Sequence, residues 1–229
     1  MKNQSILFIA VVNFFLTTTI AAQPNKFEAG IEGGGSLRFL WGNALVRLSN
    51  NAVIGFAGGA AFQYNFPKYF SIRTSLLFER KGNGSKGTAL NYTGGNEGTY
   101  TLRSNFDYLT LPVLFRASFG KKVKYFVNAG PYFGYLIKET YKIKGTNIPS
   151  TSTENTNYFQ RPDVGLTAGI GFSAPLTKVL ALSFELRNNL GLYNISKLQV
   201  YSNGTLNTNS TNLLVGLAYK FGARSETAK

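Results

Sequence analysis

Five carboxylates and five bases recur at alternate positions within apolar stretches of this sequence: Glu28, Glu32, Glu79, Asp163 and Glu185, with Arg38, Arg73, Arg116, Lys124 and Arg187. Acidic groups so placed have two uses. They can act as bases toward a serine nucleophile, or they can pair with cations inside a crowded interior. Catalysis finds little help elsewhere in the chain. Its 229 residues include no His and no Cys, which removes Ser-His-Asp triads, Cys-His pairs, histidine general bases and histidine-ligated zinc together. No motif brings a serine to a carboxylate. The expectation is therefore no catalytic residue, no cofactor and no metal ligand, with the ten charged residues forming a structural network.

The elements that would position them are strands. From Lys26 to Trp41, Phe27, Ala29, Ile31, Leu37, Phe39 and Trp41 alternate with Glu28, Glu32, Ser36 and Arg38, and a period of two marks a strand with unlike faces. The run is sixteen residues long, where soluble domains favour about 5–6. The alternation returns in AVIGFAGGAAFQYNF, YFSIRTSLLFERK, LTLPVLFRASF, VKYFVNAGPYFGYLIK, DVGLTAGIGFSA, VLALSFELRNNLGLY and NLLVGLAYKF. This predicts about eight antiparallel strands, the even number of a bacterial transmembrane barrel.

Short and long connections alternate as well. FPK, GKK and APLTK are tight turns, whereas Gly42 to Ala52, Gly82 to Thr99, Thr140 to Phe159 and Ser196 to Thr211 are predicted as long loops rich in Gly, Ser, Thr and Asn. Short periplasmic turns and longer extracellular loops distinguish the two ends of an outer-membrane barrel, and that asymmetry puts both termini in the periplasm. The N-terminal segment carries Lys2, an apolar stretch from Ile6 to Leu16 and the small residues Ala21 and Ala22. It reads as a secretory signal peptide over residues 1–22, cleaved after Ala21 or Ala22. Asn13 and the threonines that follow interrupt it too early for a spanning helix, which needs about 20 apolar residues. Residues 23–229 then form one barrel domain.

The net charge of +14 is scattered, with no run of more than two bases. Nucleic-acid binding is not expected of an exported chain with this pattern, and basic loops facing lipopolysaccharide phosphates suit it better. The small face of the second strand, Gly55, Ala57, Gly59 and Ala61, decides which side is inside. A solvated exterior would carry charges, whereas small residues suit the interior of a narrow barrel. Aromatic residues gather at the strand ends, Phe27, Phe66, Tyr69, Phe119, Tyr125, Tyr219 and Phe221 at one rim and Phe39, Trp41 and Tyr135 nearer the other, as at membrane interfaces. Parity slips between Phe106 and Leu109, which predicts a bulge near Asp107 or an end to the spanning part there.

The segment from Asp107 to Ile137 resembles the central hairpin of the PorT-like outer-membrane β-barrel family, in its Tyr108-Leu109-x-x-Pro112 strand and its Gly130-Pro131-Tyr132-x-Gly134 strand. Thr110 stands where an acidic residue is common in that family. The last strand resembles the signal read by the barrel-assembly machinery, with Gly216, Tyr219 and Phe221 in place, Leu214 replacing a polar residue, and eight further residues trailing. The resemblance implies an all-β barrel in the outer membrane of a Gram-negative cell, contacting lipid and lipopolysaccharide and inserted by that machinery. Function is expected to be structural, or an interaction with an extracellular protein or glycan through the loops. A narrow channel or small-ligand carrier is the alternative.

Overall fold

The computed structural model describes residues 26–42, 51–90, 92–146, 149–200 and 203–221. The expected signal peptide lies outside the described residues. Among the described residues nine strands follow one another: β1 (Phe27–Gly42), β2 (Val53–Asn65), β3 (Phe70–Leu90), β4 (Asn96–Phe119), β5 (Lys124–Gly145), β6 (Thr151–Glu154), β7 (Pro162–Pro175), β8 (Leu180–Gly191) and β9 (Leu206–Phe221). All pairings are antiparallel, and β9 returns to β1 from Phe27↔Phe221 to Gly42↔Leu206. Strands β1–β5 and β7–β9 thus close an eight-membered ring with no free edge, while short β6 pairs only with the outer part of β5, Thr140 to Ile143. Closure satisfies the backbone groups that lipid cannot.

The alternation in the sequence is the alternation of the wall. Ile31, Ile54, Ile72, Leu111, Val113, Phe115, Ile170 and Leu213 are exposed on the outside, and their neighbours Glu32, Arg73, Thr110, Leu114, Arg116 and Asn212 are buried within. At the end with the short turns, aromatic rings meet as neighbours on the outer surface. Phe119 stacks on Tyr125 at 6.0 Å, Tyr219 meets Phe221 edge-on at 5.1 Å, and Phe27 lies 5.0 Å from Tyr64.

The bulge falls where the parity slips. Asp107 pairs with Lys138 and Tyr108 with Leu136, so Ile137 is the extra residue on β5. Beyond it the wall continues as a polar extension. The segment predicted as a loop from Gly82 to Thr99 is instead a hairpin, with β3 running to Leu90 and β4 starting at Asn96. Both faces of this hairpin meet water, so no apolar period announced it; Thr99, Tyr100, Thr101 and Leu102, opposite Ser85 to Thr88, supply the strand preference. The loops from Thr140 and Ser196 are shortened in the same way, since β5 reaches Gly145 and β9 begins at Leu206.

At this end the lumen is closed by an apolar cluster of Leu40, Phe106, Tyr108, Leu136 and Ile195, with Phe159 and Leu206 packed against it. Phe106 and Phe159 meet edge to face at 4.7 Å. Backbone bonds from Gln160 to Ile195 and from Ile195 to Leu206, each 2.8 Å, tie the connecting segments across the opening.

Candidate functional site: a charged lumen

The interior holds two charge clusters at successive levels. In the one nearer the short turns, Glu32 of β1 accepts from Arg73 of β3 at 2.5 Å, from Ser75 at 2.8 Å and from Arg187 of β8 at 2.8 Å. Glu185 accepts from Arg187 Nε at 2.5 Å, Arg116 of β4 at 2.7 Å and Asn128 of β5 at 3.1 Å. Arg116 also lies 3.7 Å over the Phe126 ring and donates to Gln63 Oε1 at 3.2 Å. Two carboxylates therefore face three guanidiniums, an excess of one positive charge.

The second cluster carries the opposite excess. Asp163 of β7 accepts from Lys81 of β3 at 2.9 Å, Thr208 of β9 at 2.7 Å and Tyr132 at 3.1 Å. Glu79 accepts from Ser210, Asn212, Thr110 and Asn189 at 2.6–3.1 Å, and Lys81 Nζ is 3.8 Å away. Two carboxylates share one ammonium, so the two clusters together balance. The bonds run from wall to wall. Strands β3 and β8, which Glu79 and Asn189 join, have three strands between them in either direction around the ring.

Of the ten charged residues singled out in the sequence, Glu32, Arg73, Arg116, Glu185 and Arg187 form the first cluster, and Glu79 and Asp163 belong to the second. The other three stand apart. Glu28 accepts from Asn65 at 3.0 Å and forms no ion pair among the described residues, and Lys124 is exposed; both line the open mouth at the short-turn end. Lys124 begins its strand, where the interior has widened to solvent, and it forms no ion pair among the described residues. Arg38 lies beyond the second cluster, where, among the described residues, it bonds uncharged oxygens, of Lys81, Ser104 and Asn105. Lys81 was missed although its signal was present: it follows Glu79 by two and so shares its face. Asn189, Ser210 and Asn212 carry no charge to mark them.

The hydroxyls of Ser75, Ser210 and Thr208 do meet carboxylates, but these serines, the threonine and their partners are all buried. They act as donors to fixed anions, with no surface on which a substrate could approach. No group of acidic residues suited to a metal occurs among the described residues.

Residues 21–197 match the family described as outer membrane protein beta-barrel domain. No curated protein matches the sequence. Among solved structures, Neisserial surface protein A is similar at 15% identity and a TM-score of 0.43, covering 86% of this chain and 97% of that one. The N-terminal barrel of OprF from Pseudomonas aeruginosa gives 12% and 0.43, covering 87% and 100%. Ail of Yersinia pestis, in complex with the heparin analogue sucrose octasulfate, gives 12% and 0.41, covering 86% and 99%. A ring of strands that turns its apolar residues outward and its ion pairs inward suits lipid surroundings, and the family match spans most of that ring: the chain belongs to the outer membrane protein beta-barrel domain family.

Proposed function

We propose that the protein is a plugged outer-membrane barrel that acts through the surface at its long-loop end, as a structural or adhesive element without catalysis. The observation that carries this reading is the cross-lumen bonding of two complementary charge clusters beneath an apolar cap. Moving an ion through would require breaking pairs whose loss ordinarily costs about 3–5 kcal/mol each. The surface left to act is the polar extension of β3, β4 and β5, together with the segments around it.

In this reading residues 1–22 are a removed signal peptide, both termini are periplasmic, and the assembly machinery inserts the barrel. The Tyr108–Pro112 and Gly130–Gly134 motifs support membership of the PorT-like branch. Lipid and lipopolysaccharide surround the wall, and the partner above is an extracellular protein or glycan.

Purified protein in a planar bilayer is expected to give no sustained conductance. Steady open-channel steps would reject the plug and favour transport. Photo-crosslinkers at Tyr92 and Tyr158, exposed at the long-loop end, are expected to capture surface molecules in intact cells. Capture only from Phe66 and Tyr69, at the opposite rim, would reverse the assigned direction.

A further inference from the structure

Arg38 is a buried cation that forms no ion pair among the described residues, and Asp107, the carboxylate whose charge it feels, is bonded to Arg80 instead. Arg38 is 2% exposed, its guanidinium donates, among the described residues, to the carbonyls of Lys81 and Ser104 and to Asn105 Oδ1, and its Nε has no partner. Buried charges normally come with a counter-charge. The wall is shaped around this side chain. A Cβ on Gly55 would stand 2.8 Å from Arg38 Cδ, and one on Gly82, whose φ is +121°, would stand 3.0 Å from Nη1. The guanidinium passes between β2 and β3 beyond their last regular pair, Ala57↔Glu79, and below the isolated bridge Asn51↔Gly84.

A cleft of about 410 Å³ opens at this point, within the range of small-ligand sites, and Arg80, Arg103, Lys142 and Lys144 line it with Arg38. Arg103 stands directly opposite Lys142 in the sheet, an arrangement that is unfavourable unless an anion bridges it. Asp107 neutralises Arg80, through bonds of 2.5 and 2.8 Å. Arg103, Lys142 and Lys144 form no ion pair among the described residues. The cleft's other lip is apolar: Ile54, 81% exposed, and Phe56, over whose ring Arg80 lies at 5.4 Å, belong to the lipid-facing side of β2.

We propose that this cleft binds the phosphate of a phosphorylated lipid headgroup in the outer leaflet. The inference rests on the reading that the long-loop end faces outward. Guanidinium forks match phosphate oxygens in geometry as well as charge; exposed Arg103 offers one, and Arg38, whose fork is already engaged, adds its charge from behind. The lip explains why the ligand is a lipid and not a soluble anion: acyl chains would lie against Ile54 and Phe56 while the headgroup turned up toward the bases.

Full-length protein in uncharged detergent would be titrated calorimetrically with lipid A bearing both phosphates, with lipid A stripped of them, and with inorganic phosphate. The intact lipid is expected to bind at least tenfold more tightly than either of the others. Arg103→Gln/Lys142→Gln/Lys144→Gln, at exposed positions, is expected to weaken that binding tenfold or more while migrating as a folded barrel on gels. Lys124→Gln/Lys220→Gln, at the opposite mouth, is expected to leave binding unchanged. Equal binding of both lipids, equal binding of inorganic phosphate, or equal loss in the two variants would overturn the proposal. Channel steps with phosphate-selective lipid binding intact would remove only the plugged-barrel reading, and a silent bilayer without that selectivity only the cleft.

Discussion

Lys81 and Asp163 meet across the lumen with Nζ 2.9 Å from Oδ2, and both side chains are wholly buried. They belong to strands separated by two others around the ring, β4 and β5, so the contact fixes the distance between walls rather than the pairing of neighbours. The Tyr132 ring adds to the cation's surroundings, 4.2 Å from Nζ. Lys81→Met removes the positive charge that two carboxylates share, and is expected to destabilise the barrel by about 3–5 kcal/mol. In Lys81→Met/Asp163→Leu both charges go, so more than half of that loss should return. Urea unfolding in detergent measures both variants, and losses that simply add would show that the two residues are not coupled.

The wall offers a second test. Val113 is lipid-facing and pairs with Thr74 in the spanning part of β3 and β4, while its neighbours Pro112 and Leu114 point inward. Val113→Arg is expected to cost about 2–4 kcal/mol at the bilayer midplane. Thr110→Arg should fail for a different reason, since Thr110 is packed against Glu79 at 3.0 Å. Spin labels from Leu109 to Ala117 should alternate in lipid accessibility, and a uniform profile would contradict the register.

The spanning wall was legible in the sequence because each of its residues meets either lipid or lumen, so chemistry follows parity without exception for most of its height. Parity also marked the level of the register shift: on β4 the slip arises because Phe106 turns inward into the cap, and the extra residue there is Ile137 on β5. Parity gave seven of the eight charges in the two clusters, missing Lys81, and could not say which met, since Arg116 and Glu185 are 69 residues apart and come together only when the ring closes. Above the membrane both sides of the sheet face water, and the β3–β4 hairpin left no period to read. Ile195, fully buried in the cap, lies among Leu192, Tyr193 and Leu198 just after the period-two strand, where no alternation marks which apolar residue turns inward. Arg38 was legible as an inward charge, but its height beyond both clusters, which leaves it without an ion pair among the described residues, was not.

Export gives a third expectation. The mature protein should begin at Ala22 or Gln23 and fractionate with outer membranes, because a wall of exposed Ile, Leu, Val and Phe has no stable place in water. N-terminal sequencing after membrane separation measures this. A chain retaining Met1 in the inner membrane would contradict the signal-peptide reading and the direction of insertion together.

Glu139 is expected to make the long-loop end sensitive to pH. It lies two residues beyond Ile137, the last lipid-facing residue of β5, in the extension that carries β6 and so outside the spanning part. The residue is 1% exposed and its Oε2 has no partner, while its backbone receives Asn155 N–H and donates to Thr156 Oγ1. Burial pushes the carboxyl up to about 7 from an ordinary 4.5, only partly opposed by the Asn155 backbone bond. The folded state therefore holds the proton more tightly than the unfolded one. Its contribution is complete below the ordinary value and is lost as pH rises through about 7, when a charged carboxylate must either stay buried or leave. Leaving is the easier course, because β6 is held by only four residue pairs. Amide protection in residues 151–159 is expected to fall between pH 5 and pH 8 after correction for intrinsic exchange, and Glu139→Gln to flatten that dependence. The same fall in the Gln variant would assign the opening to another group.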